Sequence, residues 1–410
     1  MNCKTVQTIL SDTAYVRTAG SGEEVRCSAY LASLCEKIGL KPQTEAFPVP
    51  AYETELATLT VDNSPISCKG IWGAGSGSIA APLAYLPGTD APTKRICKGK
   101  IVLLDRGVGK ELHQELVSCG AAGFITYNGN LNYTDQDVDQ REMRFRTEKP
   151  LLPAVNINAK DAFSLLKKQG KTAEIHLKQK ESTALSHNVI VDIEGETDET
   201  LLICAHYDST SLSKGAFDNM SGCIGLLYLA EYFASRPHKR KIRLLFCGSE
   251  ERGLLGSRHY CRMHKDELKK TVLNINLDMM GCAMGSFAAI NCINEEMTDL
   301  LTSFLKKRRF AADLRYDIRS SDSNSFLACG VPAVSFARYS PAGMIPIHTR
   351  YDTAETVSPK RLLGDMKIVA AFAELFANAH PLPISLAISE KIQTSVEDYM
   401  KRQAPLINEI

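Results

Sequence analysis

The sequence predicts an α/β protein, with a mostly parallel central sheet flanked by helices and an inserted β-rich domain. From residue 186 onward, strand patterns alternate with helical patterns, and the strands are apolar throughout, as in sheets covered on both faces. Between residues 53 and 185 the pattern changes to short strand-like runs separated by turn residues. We therefore predict two domains, one formed by residues 1–52 and 186–410 and the other by residues 53–185.

The individual elements follow from local patterns. In the first segment, Ser21 is the predicted N-cap of an amphipathic helix, Glu24 completes its capping box, and Gly39 ends it. Near the C-terminus, apolar residues at helical spacing predict either a helix packed on the domain or an oligomer contact. These residues are Ile388, Ile392, Val396 and Tyr399. Between these two helices, strands are predicted at 187–195, 201–206, 242–248, 271–278, 287–293 and 332–337, and helices at 219–235, 295–307 and 358–380.

Composition excludes some classes of partner. The chain has 410 residues, with 48 basic and 47 acidic side chains, so no net field attracts nucleic acid or an anionic membrane. Neither an N-terminal apolar segment of signal-peptide length nor a membrane span is visible in the sequence. The 13 cysteines are scattered, without a Cys-x-x-Cys pair. We therefore expect a cytoplasmic protein with no membrane or nucleic-acid partner.

Residues that bind metals follow nearly every predicted strand. Because the carboxyl ends of parallel strands meet at one edge of a sheet, these side chains are expected to converge. Two histidines and several carboxylates suit zinc bound through nitrogen and oxygen, and such ligands can hold a pair of ions bridged by one carboxylate. The residues are His206, Asp208, Glu250, Glu251, Asp278 and His348, with Asp218 at the start of the helix 219–235.

Chemistry suggests roles for some of these residues. His206 is a ligand in this hypothesis, Asp208 is the carboxylate that fixes its tautomer, and Asp218 bridges the two ions. Asp218 taken alone is also typical of a helix N-cap. One of Glu250 and Glu251 has to bind metal while the other moves protons, and the pattern leaves open which.

Several motifs together resemble a known family, the zinc exopeptidases that include bacterial aminopeptidases, glutamate carboxypeptidase and glutaminyl cyclases. The resemblance covers the first 50 residues and residues 186–380. The motifs, in chain order, are "AHYDS", "GAFDNMSG", "GSEERGLLGSRHY", "NLDMMG", "SDSNSF" and "IHTRYDT".

The resemblance implies a three-layer sandwich of the zinc-peptidase type and two Zn²⁺ ions per chain. One ion would be held by His206, Asp218 and Asp278, and the other by Asp218, Glu251 and His348. Glu250 would be the general base. A cis peptide bond between Asp218 and Asn219 is also implied.

The region of residues 53–185 resembles the protease-associated domain that this family often carries as an insertion. The phrases that carry the likeness are "GKIVLLDRG", "CGAAGFITYN" and "LLPAVNIN". In relatives this domain is a lid or a wall on the substrate side, so its implied role is to restrict what reaches the metal ions.

Two positions depart from the family pattern. Many relatives have tyrosine directly before the last histidine ligand, to stabilise the oxyanion, and this chain has Ile347 there. Arg338 and Tyr339 are therefore our candidates for the oxyanion donor. Ser323 stands where histidine is frequent, which leaves the role of Asp322 undefined.

The expected activity is metal-dependent hydrolysis of peptides, by an aminopeptidase that releases N-terminal residues through a hydroxide held between two zinc ions. A carboxypeptidase or dipeptidase of the same family is the main alternative, because the segment "REMRFR" at 141–146 offers arginines for a substrate carboxylate. A glutaminyl cyclase and a non-catalytic binding protein are further alternatives, and the complete set of ligands for two ions argues against both.

Overall fold

The computed structural model describes residues 1–88, 95–145 and 147–403. Its helices are α1 (Cys3–Asp12), α2 (Gly22–Lys37), α3 (Lys110–Ser118), α4 (Ala159–Leu165), α5 (Ser221–Ala234), α6 (Leu255–Met263), α7 (Lys265–Leu268), α8 (Glu295–Lys307), α9 (Ser323–Ala328), α10 (Pro359–Asn378) and α11 (Glu390–Gln403). Its strands are β1 (Gln43–Val61), β2 (Ser64–Ile66), β3 (Lys69–Gly70), β4 (Gly77–Leu86), β5 (Ile101–Leu104), β6 (Gly123–Asn128), β7 (Ala154–Asn158), β8 (Thr172–Ile193), β9 (Thr197–His206), β10 (Arg240–Cys247), β11 (Thr271–Leu277), β12 (Ser286–Cys292), β13 (Asp313–Tyr316) and β14 (Ala333–Tyr339).

The described chain divides into two compact units. The first comprises Met1–Val49 and Leu185–Gln403, and the second comprises Pro50–Ala184. The predicted boundaries, after residues 52 and 185, lie three residues and one residue further along the chain. Both boundaries fall inside long strands, β1 and β8, so no turn residue marks either of them.

A mixed sheet forms the centre of the first unit, in the order β13-β12-β14-β11-β9-β10-β8. The central strand β9 pairs in parallel with both β10 and β11, and β11 pairs in parallel with β14. Strands β8 and β12 pair antiparallel with β10 and β14. The predicted mostly parallel sheet is confirmed.

Helices cover both faces of this sheet because side chains alternate along each strand. On β9, Leu201 and Ile203 face a core shared with α1, α2, α5 and α10. The intervening Leu202 and Cys204 face a second core shared with α6, α7 and α9. The continuous apolar pattern of β9 therefore has its expected cause, which is burial on both sides.

The C-terminal helix α11 packs within the chain. Its residues Ile392 and Val396 are buried against Ile290 and Leu327. The apolar face of α11, for which the sequence analysis also considered an oligomer contact, is therefore buried within the chain.

In the second unit, β4, β5, β6 and β7 are parallel neighbours, and β3 pairs antiparallel with β7. Helices α3 and α4 pack on the core of this sheet through Leu116, Ala162 and Leu165. In the basic segment of this unit, the Arg141 side chain lies 3.5 Å from Asp139 and that of Arg144 lies 3.8 Å from Glu142. Arg146 lies outside the described residues.

Among the helices that the structure describes, none combines the length and the apolar character needed to cross a bilayer.

Candidate metal centre

Three neighbouring parallel strands end at the candidate metal centre. His206 is the last residue of β9, and Asp278 directly follows β11. Glu250 and Glu251 follow β10 in a short 3-10 turn. Since β9 is parallel to both neighbours, these side chains share the carboxyl edge of the sheet, where open α/β sheets bind ligands.

Two further residues reach this edge from outside the sheet. Asp218 lies in a π-helical turn before α5, with φ −111° and ψ 90°, and its peptide bond to Asn219 is cis, as the resemblance implied. Helix α5 has Met220 as its N-cap, so the interpretation of Asp218 as a helix cap is wrong. His348 lies in the loop that follows β14.

The ligand candidates form two groups that share one carboxylate. His206 Nε2 lies 3.1 Å from Asp218 Oδ1 and 3.7 Å from Asp278 Oδ1. His348 Nε2 lies 3.1 Å from Asp218 Oδ2 and 3.2 Å from Glu251 Oε2. In each group the potential ligand atoms all lie within 4.8 Å of one another. Asp218 directs one oxygen to each group, which is the geometry of a bridging carboxylate.

The carboxylates that crowd this edge of the sheet stabilise positive charge on the groups beside them. Burial disfavours a charged His348, yet its contacts with Asp218 and Glu251 raise the pKa of His348 to about 11. The pKa of His206 is likewise raised well above its usual value by Glu250 and by the neighbouring aspartates, against the effect of burial. Burial acts to raise the pKa of Asp218, but the two histidines hold it below its usual range.

One carboxylate oxygen at this edge lacks a hydrogen-bond donor in the described part of the chain. Asp278 Oδ2 accepts a hydrogen bond of 2.6 Å from Ser321 Oγ. Asp278 Oδ1 is buried and has no hydrogen-bond partner among the described residues. A buried carboxylate oxygen without a donor is unfavourable unless a cation binds it, and a set of imidazole nitrogens and carboxylate oxygens suits zinc.

Asp208 contacts both His206 and the turn that carries Glu250 and Glu251. Its Oδ1 lies 3.3 Å from His206 Nδ1, the position expected of the carboxylate that orients a metal-binding histidine. The same carboxylate accepts hydrogen bonds from the backbone N–H groups of Glu250, at 2.9 Å, and Glu251, at 3.1 Å. Asp208 thus holds the turn that carries both glutamates.

Left-handed backbone conformations accumulate at this edge. Ser249 has φ 56°, Met279 has φ 62° and His348 has φ 62°, and each is a candidate ligand or base or lies directly beside one. Non-glycine residues adopt this conformation at a cost of about 1–3 kcal/mol, and they are typical of functional sites. The surrounding contacts therefore have to stabilise each of these turns.

Asp352 and Asn219 hold the backbone around Asp218, and the sequence analysis assigned a role to neither. The fully buried Asp352 accepts hydrogen bonds from the backbone N–H groups of Phe217, at 2.7 Å, and Asp218, at 3.1 Å. The side chain of Asn219 donates to the Leu277 carbonyl and accepts from the backbone of Met279. The only sequence signal for Asp352 is its place in "IHTRYDT".

Glu24 does not complete the predicted capping box, because its carboxylate accepts from the backbone N–H of Gly20, at 2.6 Å, while the N–H of Ser21 donates to the Thr18 carbonyl. Ser21 does accept a hydrogen bond of 3.1 Å from the Glu24 backbone, as an N-cap should. The Glu24 carboxylate, however, accepts from the Ser249 backbone at 2.8 Å, from Ser249 Oγ at 2.9 Å and from Ser186 Oγ at 3.0 Å. Burial and the charge of Asp208 raise the pKa of Glu24 to about 8. This residue of α2 therefore holds the left-handed Ser249 directly before Glu250.

Replacing Glu24 with Ala is expected to lower the free energy of unfolding by about 2–4 kcal/mol, because the buried N–H of Ser249 and the partly buried N–H of Gly20 lose their acceptor. kcat should fall as well, since the turn before Glu250 loses its support. Urea denaturation and steady-state kinetics measure both effects. The control is Glu23→Ala, at the exposed neighbouring position. Equal stability of the two variants would contradict the role of Glu24.

The side chain of Arg17 holds the segment between the ligand candidates His206 and Asp218. The Arg17 side chain is fully buried and donates to the backbone carbonyls of Tyr207, Lys214 and Gly215. In addition, the Arg17 backbone exchanges hydrogen bonds with Ser209. The N-terminal segment is thereby part of the support of the metal centre.

The two oxyanion candidates have different surroundings. The Arg338 guanidinium pairs with Asp365, at 2.6 and 2.8 Å, and also donates to the Gly285 carbonyl. Adjacent residues of a strand point to opposite faces, so Tyr339 points away from this pair. Burial, followed by the charge of Asp278, raises the pKa of Tyr339 to about 12, so its hydroxyl stays protonated and can donate a hydrogen bond. Tyr339 is the candidate that we retain.

Asp322 lies behind the centre and belongs to neither ligand group. It is fully buried, and neither of its carboxylate oxygens has a hydrogen-bond partner among the described residues. Burial, together with the charges of Asp208 and Asp278, raises the pKa of Asp322 to about 6, while His206 opposes the rise. Its neighbour Ser321 is the residue of this motif that contacts a ligand, Asp278.

The chain was compared with protein-family models. Residues 188–373 match the model of peptidase family M28. The matched range contains His206, Asp218, Glu250, Glu251, Asp278 and His348.

Two similar chains come from Bacillus subtilis. The aminopeptidase YwaD of strain 168 is 27% identical over 411 residues, which cover 95% of this chain and 88% of the relative. The structure of BSAP, a zinc aminopeptidase, superimposes with a TM-score of 0.79 at 25% identity, covering 95% of this chain and 98% of the other. An aminopeptidase from Aneurinibacillus sp. strain AM-1 has the same fold, with a TM-score of 0.74 at 23% identity and the same coverage.

Proposed function

We propose that this chain belongs to peptidase family M28, whose model matches residues 188–373, and that it is a zinc-dependent aminopeptidase that releases N-terminal residues from peptides. The observation that carries the proposal is the pair of ligand groups that share Asp218, with Glu250 beside them. Relatives named as aminopeptidases that match nearly the whole chain support the activity.

Two zinc ions per chain are proposed. His206, Asp218 and Asp278 would hold one ion, and Asp218, Glu251 and His348 would hold the other. When bound, zinc polarises a carbonyl and lowers the pKa of a coordinated water towards neutrality. Two equivalents of zinc per chain in the purified protein, by elemental analysis, are the expected result, and one equivalent would contradict the second site.

Glu250 is proposed as the general base. It is not a member of either ligand group, its Oε2 lies 3.9 Å from His206 Nε2, and Asp208 holds its backbone. Burial raises the pKa of Glu250 well above its usual value; the charge of His206 opposes this, and that of Glu251 adds to it. A carboxylate with a raised pKa can take a proton from the attacking water and return it to the leaving amine.

Tyr339 is proposed to donate its hydroxyl proton to the oxyanion. This role would replace the tyrosine that many relatives have at the position of Ile347. Tyr339→Phe should lower kcat by about 10²-fold or more while leaving the KM of small substrates nearly unchanged, as loss of one oxyanion donor typically does. An unchanged kcat would exclude the role.

Pro50–Ala184 is proposed to be a protease-associated domain that limits the size of the substrate. A dipeptide and a folded protein with the same N-terminal residue should then differ strongly in kcat/KM. Similar values would contradict the proposal. The cytoplasmic location expected from the sequence stays a prediction.

A panel of substrates tests the function directly. Aminoacyl anilides with a free amine should be hydrolysed, their N-acetylated counterparts should not, and a chelator should abolish the activity until zinc is restored. Cleavage of N-blocked peptides at the carboxyl end would indicate the carboxypeptidase alternative. Formation of pyroglutamate from an N-terminal glutamine would indicate the cyclase.

A further inference from the structure

A cavity of about 580 Å³ lies in the first unit, and none of the candidate metal-binding residues lines it. Helices α6 and α7 form one side, α9 and the turn after it form another, and Met400 of α11 contributes a third. Apolar atoms of Leu268 and Val331 line it together with charged side chains. Its volume is in the range of small-molecule sites.

Cationic side chains predominate in this cavity. Arg258, Arg262, Lys265 and Lys269 line it, and none of the described lining residues is acidic. Lys269 is neutralised by Asp266 at 2.7 Å, which lies outside the lining. The cavity therefore has an excess of positive charge.

Arg258 is a cation of this cavity whose guanidinium is only partly hydrogen-bonded. Burial lowers the pKa of its guanidinium, and its Nε is buried with no hydrogen-bond partner among the described residues. Its Nη2 contacts the Met400 sulfur at 3.7 Å. A partly desolvated cation of this kind is stabilised when an anion binds beside it.

Two cysteines lie in the same cavity. Cys329 is exposed and Cys261 is buried. The neighbouring Cys261 thiol lowers the pKa of Cys329 to about 7; burial opposes this effect, and the charge of Lys265 adds to it. Burial raises the pKa of Cys261 well above its usual value, so Cys261 stays a thiol and a donor. A thiol that is accessible and surrounded by cations has the properties of a reactive cysteine.

We propose that this cavity is a binding site for small organic anions that carry an electrophilic centre, and that Cys329 is the residue they modify. The Sγ thiolate of Cys329 attacks the electrophilic carbon while the cations hold the anionic group of the ligand. With iodoacetate as the probe, the S–C bond forms, the C–I bond breaks, and iodide leaves with the electron pair. The inference is independent of the metal centre and of the peptidase activity.

The test compares an anionic and a neutral reagent on the intact protein. Iodoacetate and iodoacetamide react by the same step but differ in charge, and peptide mapping by mass spectrometry gives the rate at each cysteine. Exposed Cys3 is a stringent reference because it lies at the N-terminus of α1, where anions are also attracted. The ratio of the iodoacetate rate to the iodoacetamide rate should be about tenfold higher at Cys329 than at Cys3. Equal ratios would overturn the proposal.

Two lysine variants test whether the charge of the cavity, and not the general reactivity of the Cys329 thiol, causes the preference for iodoacetate. Lys265→Gln should lower the rate ratio at Cys329 several-fold. The control Lys270→Gln removes an exposed lysine that pairs with Asp198 and does not line the cavity, and it should leave the ratio unchanged. The same ratio in both variants would contradict an anion site.

The effect of Cys261 on the Cys329 thiolate is tested separately. Cys261→Ala should raise the midpoint of the pH profile of iodoacetamide modification at Cys329, whereas Cys261→Ser, which keeps a hydroxyl donor, should leave it near neutrality. Equal midpoints in the two variants would show that a donor at position 261 does not stabilise the thiolate.

Discussion

Replacement of Glu250 by Gln is expected to reduce kcat by about 10²–10⁴-fold, the usual contribution of a general acid and base. The amide keeps the size of the side chain and cannot take a proton from the attacking water. Because Glu250 is not a member of either ligand group, zinc content and the free energy of unfolding should stay close to those of the wild-type protein. Steady-state kinetics, elemental analysis and urea denaturation measure the three quantities.

The matched control is Glu251→Gln, in the next residue of the same turn. Glu251 Oε2 lies 3.2 Å from His348 Nε2, so this change should lower the zinc content. Retention of more than about a tenth of kcat in Glu250→Gln would exclude the proposed proton transfer. An equal loss of zinc in both variants would show that the two glutamates do not divide the roles.

Asp218→Asn is expected to weaken the binding of both zinc ions. The Asp218 carboxylate is the only described ligand candidate common to the two groups, and each of its oxygens faces a different histidine. The amide of asparagine has a single oxygen, so it can coordinate at most one ion. It carries no negative charge, so it cannot balance the charge of that ion. Loss of a ligand should exceed the about 10–100-fold effect on affinity that is typical of outer partners. Dialysis against a graded series of zinc buffers, followed by elemental analysis, gives the two affinities.

The comparison with Glu251→Gln makes this result specific to the bridge. Glu251 belongs to one group only, so that variant should lose one equivalent of zinc and retain the other. If Asp218→Asn also retained one equivalent at wild-type affinity, Asp218 would be an ordinary ligand. Circular dichroism should confirm that α5, which follows Asp218, is intact in both variants.

Local pattern was sufficient to predict every strand of the first unit's sheet except the edge strand β13, and also where the metal-binding residue types stand. Strand β9 is apolar on both faces and ends at His206, and β11 ends directly before Asp278. An apolar strand of this kind has to be buried, and parallel strands share their carboxyl edge, so convergence of these residues follows from short-range information. Asp218 and His348 lie outside the strands; the pattern named them as candidates, and the family resemblance assigned each of them to its ligand group.

Interactions between distant segments could not be predicted in the same way. Glu24 looks like part of a capping box, and its contact with Ser249 joins residues 225 positions apart. Asp352 looks like a loop aspartate until the backbone of Phe217 is placed beside it. A local pattern records the conformation a residue favours, and it contains no information on which remote donor will lie opposite a carboxylate.

The sequence by itself determined the α/β architecture, the helix periodicities and the residue types at each strand end, because these depend on the burial and spacing of near neighbours. Only the tertiary structure decided that Asp218 faces both histidines, that Arg338 is engaged by Asp365 while Tyr339 is not, and that α11 packs within the chain. It also decided that Cys261 and Cys329 meet in a basic cavity. These outcomes depend on how helices and loops remote in sequence pack around the sheet, and that packing is set by the whole core.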